Sequence, residues 1–339
     1  MQFLQKFANR FPLLWSLKKF INSSLSKAVI EDFLDDIKDK NKRLILIYDC
    51  KTTPPTIGDF TYLVVLIRYL VHQNRKVSLF IVNSEYRDDW KVLESQKINL
   101  FLKQLEVIVH QLVQDKSFNF QICSWSNELI KKLESPEVSI LFSNYVFSRD
   151  SFYHLIPNLL NGILENEQPH LIKKVLFSVS DFPIIKKTLP SKYVTVIVRS
   201  ASSWGSHRDT TLEDFIRTVK AINKKMPDSE IVVVSDQTTC NYFREENKAL
   251  DLSCSFSKDY SSSLLEDVSI ILGGIFCFQL NAGGICVYPI FSELPYLFVM
   301  DPGNYDPWSK KSLTSFANSD QFFIGTTRKE VFFESFHRI

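Results

Sequence analysis

The run from Ile275 to Val299 constrains the fold of this chain more than any other stretch. It reads as a buried strand (Ile275–Gln279), a small-residue loop (Asn281-Ala282-Gly283-Gly284), an apolar helix (Ile285–Glu293) and a second strand (Pro295–Val299). Strand, helix and strand in that order, all apolar, call for an α/β layer in which both sheet faces are covered. A glycine pair opening a helix leaves unpaired N–H groups pointing outward and lets an anion approach the backbone. The loop lacks the Gly-x-Gly-x-x-Gly spacing of dinucleotide enzymes and the Lys-Ser/Thr ending of a P-loop. It points to a phosphorylated ligand other than NAD or a hydrolysed NTP. A tight strand-to-helix turn with no ligand would carry the same sequence.

The same alternation runs through the rest of the chain. In the first half, Arg43–Asp49, Lys76–Val82, Phe118–Ser124, Val138–Phe142 and Val175–Val179 read as strands. Helices are expected over Phe60–His72 and within Trp90–Lys116. In the second half, Tyr193–Arg199 and Glu230–Ser235 read as strands, and Thr211–Lys225 and Ser261–Leu272 as helices. The expected fold class is α/β, with two Rossmann-like domains whose parallel sheets face a central cleft. Ser180–Lys192, with Pro183 and Pro190, is the best linker. That gives an N-terminal domain over 27–180, a linker over 181–192 and a C-terminal domain over 193–339. A length of 339 residues suits two such domains.

Bulk properties exclude several classes. The hydrophobic share of 45% rules out a disordered chain. A net charge of +2 gives no footprint for nucleic acid. The six cysteines are scattered without a Cys-x-x-Cys pair, which favours free thiols in a reducing, cytoplasmic setting over disulfides or zinc. No apolar run reaches the roughly 20 residues of a membrane span. The N-terminus stands apart: Lys6, Arg10, Lys18, Lys19 and Lys27 precede the first acidic residue, Glu31. Phe3, Phe7, Phe11, Trp15 and Phe20 are interleaved with them. Residues 1–26 form a basic amphipathic segment suited to peripheral contact with the cytoplasmic face of a membrane. Packing on its own domain or on a second subunit is the alternative.

In such sheets ligands gather at the carboxyl ends of the strands. After the first strand lie Thr56, Gly58 and Asp59; the aspartate there could take a proton from a hydroxyl, or simply cap the next helix. Arg199 ends an apolar strand, where an unpartnered charge would be costly, and Arg208 follows in its loop. Guanidinium groups so placed suit a pyrophosphate and can stabilise a departing nucleoside diphosphate. Ser235, Asp236 and Gln237 follow the next strand and offer donors and acceptors to a base, ribose or phosphate, although capping explains the first two equally well. Glu293 closes the helix that the glycine pair begins, and could accept from ribose hydroxyls.

With these residues in view, the chain resembles glycosyltransferases of the GT-B architecture. The IGDF run at Ile57–Phe60 looks like the Gly-Asp loop of heptosyltransferase-type enzymes. VIVR at Val196–Arg199, VVVSDQ at Val232–Gln237 and the run Asn281–Val299 resemble the nucleotide-binding half of bacterial surface-polysaccharide glycosyltransferases. The resemblance implies that Asp59 is the base, with Thr56 and Gly58 near the acceptor. It implies that Arg199, Arg208 and the backbone of Asn281, Ala282, Gly283 and Gly284 hold the donor diphosphate. Ser235, Asp236, Gln237 and Glu293 are further donor contacts. No Asp-x-Asp metal motif is present, and Asp35-Asp36 and Asp88-Asp89 read as surface pairs. The expected activity is metal-independent sugar transfer from a nucleotide sugar, a co-substrate rather than a cofactor, to a surface glycan or lipid-linked acceptor. Nucleotide-sugar epimerisation, pyruvyl transfer and a non-catalytic scaffold are the rival readings.

Overall fold

In the computed structural model the described residues are 31–50, 57–83, 95–135, 137–142, 159–160, 162–163, 173, 175–200, 209–250, 252–280, 284–300 and 320–325. The chain divides into two compact units, 1–168 and 169–339. The expected linker, 181–192, falls inside the second.

The first unit holds strands β1 (Arg43–Asp49), β2 (Val77–Val82), β3 (Phe118–Cys123) and β4 (Val138–Phe142). All pair in parallel, in the order β3-β2-β1-β4. The central strands β1 and β2 are buried along both faces, and the edge strand β3 is only partly covered. That contrast is what a doubly covered parallel sheet demands of its sequence. Helix α1 (Ile57–His72) is apolar nearly all round and packs Phe60 edge-on against Tyr48 at 5.4 Å. Helix α2 (Ser95–Leu112) follows β2, and α3 (Asn127–Leu133) packs Leu129 on Ile45, Ile47, Phe80 and Val82.

A buried guanidinium ties the entrance of this sheet. Asn74, at φ 57°, turns the chain after α1 and aims Arg75 inward. Arg75 donates to the carbonyls of Ile37, Asp36, Asp39 and Lys42, which close the helical segment 31–38 and its turn. Its two terminal nitrogens thus meet four carbonyls at the end of that helical segment and in the turn after it.

The second unit holds β5 (Tyr193–Ile197), β6 (Glu230–Val234), β7 (Ser255–Phe256), β8 (Phe276–Leu280), β9 (Tyr296–Met300) and β10 (Gln321–Gly325). They form one parallel sheet in the order β10-β9-β8-β5-β6-β7. Counted from β5, this is the Rossmann order, with the winding reversing between β5 and β8. Helix α4 (Leu212–Lys225) is capped by Thr211, whose side chain accepts from Asp214 N–H at 3.1 Å. It packs Phe215, Val219 and Ile222 onto Val194, Val196, Ile231 and Val233, together with Phe243 of α5 (Gln237–Leu250). Phe215 and Phe243 meet at 4.6 Å, and burying each ring contributes roughly 1.5–3 kcal/mol. Helix α6 (Leu264–Gly273) begins in a capping box between Ser263 and Glu266.

Three expected elements differ. Val175–Val179 is not a strand: Phe177 makes a single bridge to Ser292, and Ser178 caps a 3-10 turn at Val179–Asp181. Reciprocal bonds between Ser178 and Asp181 win over the extended backbone there. The helix expected over Ile285–Glu293 is a 3-10 turn (Gly284–Cys286) followed by α7 (Val287–Ile290). Pro289 is tolerated in that first turn, and Ser292 then draws the chain away by bonding the Pro289 carbonyl at 2.9 Å. Within Trp90–Lys116 the helix ends at Leu112, before the turn in which Asp115 accepts from Ser117 N–H at 2.7 Å.

Candidate functional site

The carboxyl edge of the second sheet gathers most of the described candidates. The reversal of winding parts the connections on either side of β5 and β8, which is where open α/β sheets bind ligands. One side chain spans that point. Thr210, only 4% exposed, accepts from Arg199 N–H at 3.1 Å and donates to the Leu280 carbonyl at 3.1 Å. Its own N–H bonds the Arg199 carbonyl at 2.7 Å. The ends of β5 and β8 are thereby held in register by a buried hydroxyl. Nothing in the sequence singles out Thr210; a threonine in a polar loop reads as ordinary surface.

Arg199 lies largely covered beside Asp209, Nε to Oδ1 at 3.7 Å, with side-chain exposures of 15% and 20%. At that length the two are an ion pair without a direct hydrogen bond. Arg199 had been expected to have a partner, and Asp209 is one. Ser235, after β6, donates to the Val198 carbonyl at 2.8 Å, which fixes the β6 loop against the β5 loop. Ser200 and Thr239 hydroxyls meet at 3.3 Å in a second stitch. Arg199, Ser235 and the start of α5 therefore share one edge.

Asp236 caps α5: Oδ1 accepts from Thr239 N–H at 2.9 Å and Oδ2 from the Thr239 hydroxyl at 2.8 Å. Gln237 is exposed and donates to Asn241 Oδ1 at 2.9 Å, one helical turn on. Gly284 is exposed at the head of its 3-10 turn. The short helix behind it has a correspondingly small axial dipole. Arg208, Asn281, Ala282 and Gly283 lie outside the described residues, as does Thr56.

Glu293 is not brought to this edge. It precedes β9, at the amino end of the sheet, and pairs there with Lys173 at 3.1 Å, both well exposed. In the first unit, Gly58 and Asp59 stand in the opening turn of α1 rather than in a loop before it, and Gly58 is buried. That turn follows β1, so Asp59 does occupy a strand's carboxyl end.

Asp267 and Lys258 form a buried pair beyond β7, with Ser261 donating to Asp267 at 2.5 Å. Burial raises the Asp267 carboxyl above its ordinary value, against the pull of Lys258 and the hydroxyl. Burial also pushes the Cys240 thiol up to about 11, so it offers no ready nucleophile. Among the described residues no group of three or more His, Cys, Asp or Glu side chains is placed to hold a metal ion. Among them, too, no helix is long and apolar enough to cross a membrane.

No protein-family model matches the chain, and no curated protein sequence matches it significantly. Solved structures do. ADP-heptose LPS heptosyltransferase II of E. coli is similar at 10% identity, covering 85% of this chain and 92% of that one, TM-score 0.44. A family 9 glycosyl transferase from Veillonella parvula is similar at 7% identity, covering 87% and 88%, TM-score 0.48. The E. coli heptosyltransferase WaaC with ADP is similar at 12% identity, covering 87% and 99%, TM-score 0.44.

Proposed function

We propose that this chain is a glycosyltransferase that moves a sugar from a nucleotide-sugar donor to a hydroxyl acceptor. The observation that carries the reading is the edge formed by Arg199, Ser235 and the start of α5 at the reversal of the Rossmann order. A largely covered cation beside the amino end of a 14-residue helix favours an anion of pyrophosphate size. The same charge stabilises a nucleoside diphosphate as it departs. On binding, a diphosphate would compete with Asp209 for Arg199.

In this reading the second unit takes the donor, with Arg208 and the backbone at Asn281, Ala282, Gly283 and Gly284 completing the diphosphate site. The first unit takes the acceptor near Thr56 and Gly58, and Asp59 removes the acceptor proton. The sugar's anomeric carbon gains the acceptor oxygen and loses the diphosphate, which leaves as the anion. The reaction needs no metal if cations and N–H groups carry that charge. Glu293 has no part in it. Residues 1–26 would bring the enzyme to lipid-linked acceptors at the cytoplasmic membrane surface.

Thermal unfolding with UDP, GDP, ADP, CMP and their sugar conjugates tests the reading. One nucleotide class should raise the midpoint, because a ligand that binds only the native state shifts the unfolding equilibrium. Arg199→Ala should abolish that rise and Arg199→Lys should keep part of it. No rise with any nucleotide, or an equal rise in Arg199→Ala, would overturn it.

A further inference from the structure

The carboxyl edge of the first sheet carries an aromatic side chain that none of the preceding chemistry uses. Asp49, Val82 and Cys123 stand in one row across β1, β2 and β3. The outer two strands are about 10 Å apart. Trp125 follows β3 by two residues, just before Ser126 caps α3. Its indole Nε1 nevertheless donates to Asp49 Oδ2 at 3.2 Å. The ring therefore lies across the end of β2, anchored at its far side to a carboxylate that is only 8% exposed.

A tryptophan serving only as an apolar lid would be nearly covered. Trp125 instead keeps 40% of its surface exposed. Its polar tip donates inward to Asp49, while two-fifths of its surface stays open at a strand's carboxyl edge. A fixed aromatic face binds with little loss of side-chain freedom, and its negative quadrupole suits the C–H face of a pyranose. We propose that Trp125, positioned by Asp49, is a stacking platform for a pyranose ring of the acceptor saccharide. Naming that saccharide the acceptor rests on the sugar-transfer reading; the binding does not.

Saturation-transfer NMR on the nucleotide-free protein tests this with methyl glycosides of glucose, galactose, mannose and N-acetylglucosamine, and with sorbitol as an acyclic control. At least one glycoside should receive saturation mainly at the ring protons of one face, and sorbitol none. Trp125→Ala should weaken that glycoside about two- to tenfold. Trp125→Phe should retain much of the binding, because it keeps a ring. Asp49→Asn, which keeps an oxygen for the indole N–H, should bind like the wild type, whereas Asp49→Ala should resemble Trp125→Ala. No glycoside signal, a sorbitol signal of equal size, or unchanged binding in Trp125→Ala would overturn the proposal. Nucleotide stabilisation without glycoside binding would sink this inference alone. Glycoside binding without nucleotide stabilisation would sink the transfer reading and leave the platform standing.

Discussion

The Thr210 hydroxyl donates to the carbonyl of Leu280 at 3.1 Å, joining the ends of two strands from which the chain winds in opposite directions. Because the hydroxyl also accepts from Arg199 N–H, the proposed diphosphate-binding arginine starts from a fixed backbone. Thr210→Val fills the same space but removes the hydroxyl that bonds the Arg199 N–H and the Leu280 carbonyl. It should cost about 1–3 kcal/mol in urea unfolding and weaken nucleotide stabilisation as well. Thr210→Ser should preserve both.

Asp236 divides the capping account from the ligand account. Both of its carboxylate oxygens already bond Thr239, so Asp236→Ala should cost about 0.5–2 kcal/mol of stability. Asp236→Asn and Asp236→Ser should restore most of it. Nucleotide affinity measured well below the unfolding midpoint should be unchanged in all three; a selective loss of affinity would make Asp236 a ligand contact.

Asp36 should contribute to acid sensitivity in the first unit. Burial acts to raise its carboxyl, but bonds from Lys42 at 2.5 Å and Ser139 at 2.5 Å, with the charges of Lys42 and Arg75, prevail and hold it below its ordinary value of 3.8. A carboxyl depressed in the folded state stabilises above its unfolded pKa and loses that contribution as pH falls through the folded one. Equilibrium unfolding should therefore show wild type losing stability below about pH 3.8 more steeply than Asp36→Asn. At neutral pH the variant should be the less stable of the two.

Arg75→Leu deprives four carbonyls of their donor at one stroke, at a residue that is itself only 2% exposed. A loss of about 3 kcal/mol is expected. Hydrogen exchange should localise it to the segment 31–38 and to β1, with the amides of β5 and β6 unaffected.

The central strands of both sheets were legible from runs such as RLILIYD and EIVVV, because strands buried on two faces cannot hide their composition, whereas the edge strand β10 went unread. Less visible were β7, two residues long, and α3, seven residues long, since neither spans enough chain to show a period. Strand order was not legible either. The reversal at β5 and β8 arises from pairing between segments some 80 residues apart, and no local pattern encodes it. The candidate site was half visible: Arg199 announced itself as a charge closing an apolar strand. Thr210, Asp209 and the Trp125–Asp49 contact became meaningful only once distant strand ends were adjacent. Glu293 stands at the other end of the sheet because it shortly precedes β9, where it pairs with Lys173.

Every bond that Thr210 makes is to main chain. Such an anchor is indifferent to which side chains decorate the loops it joins, so those loops can be rewritten by mutation without loosening the strands beneath. Descendants of this chain could change what they recognise at that edge many times over while the hydroxyl kept the two strand ends in register.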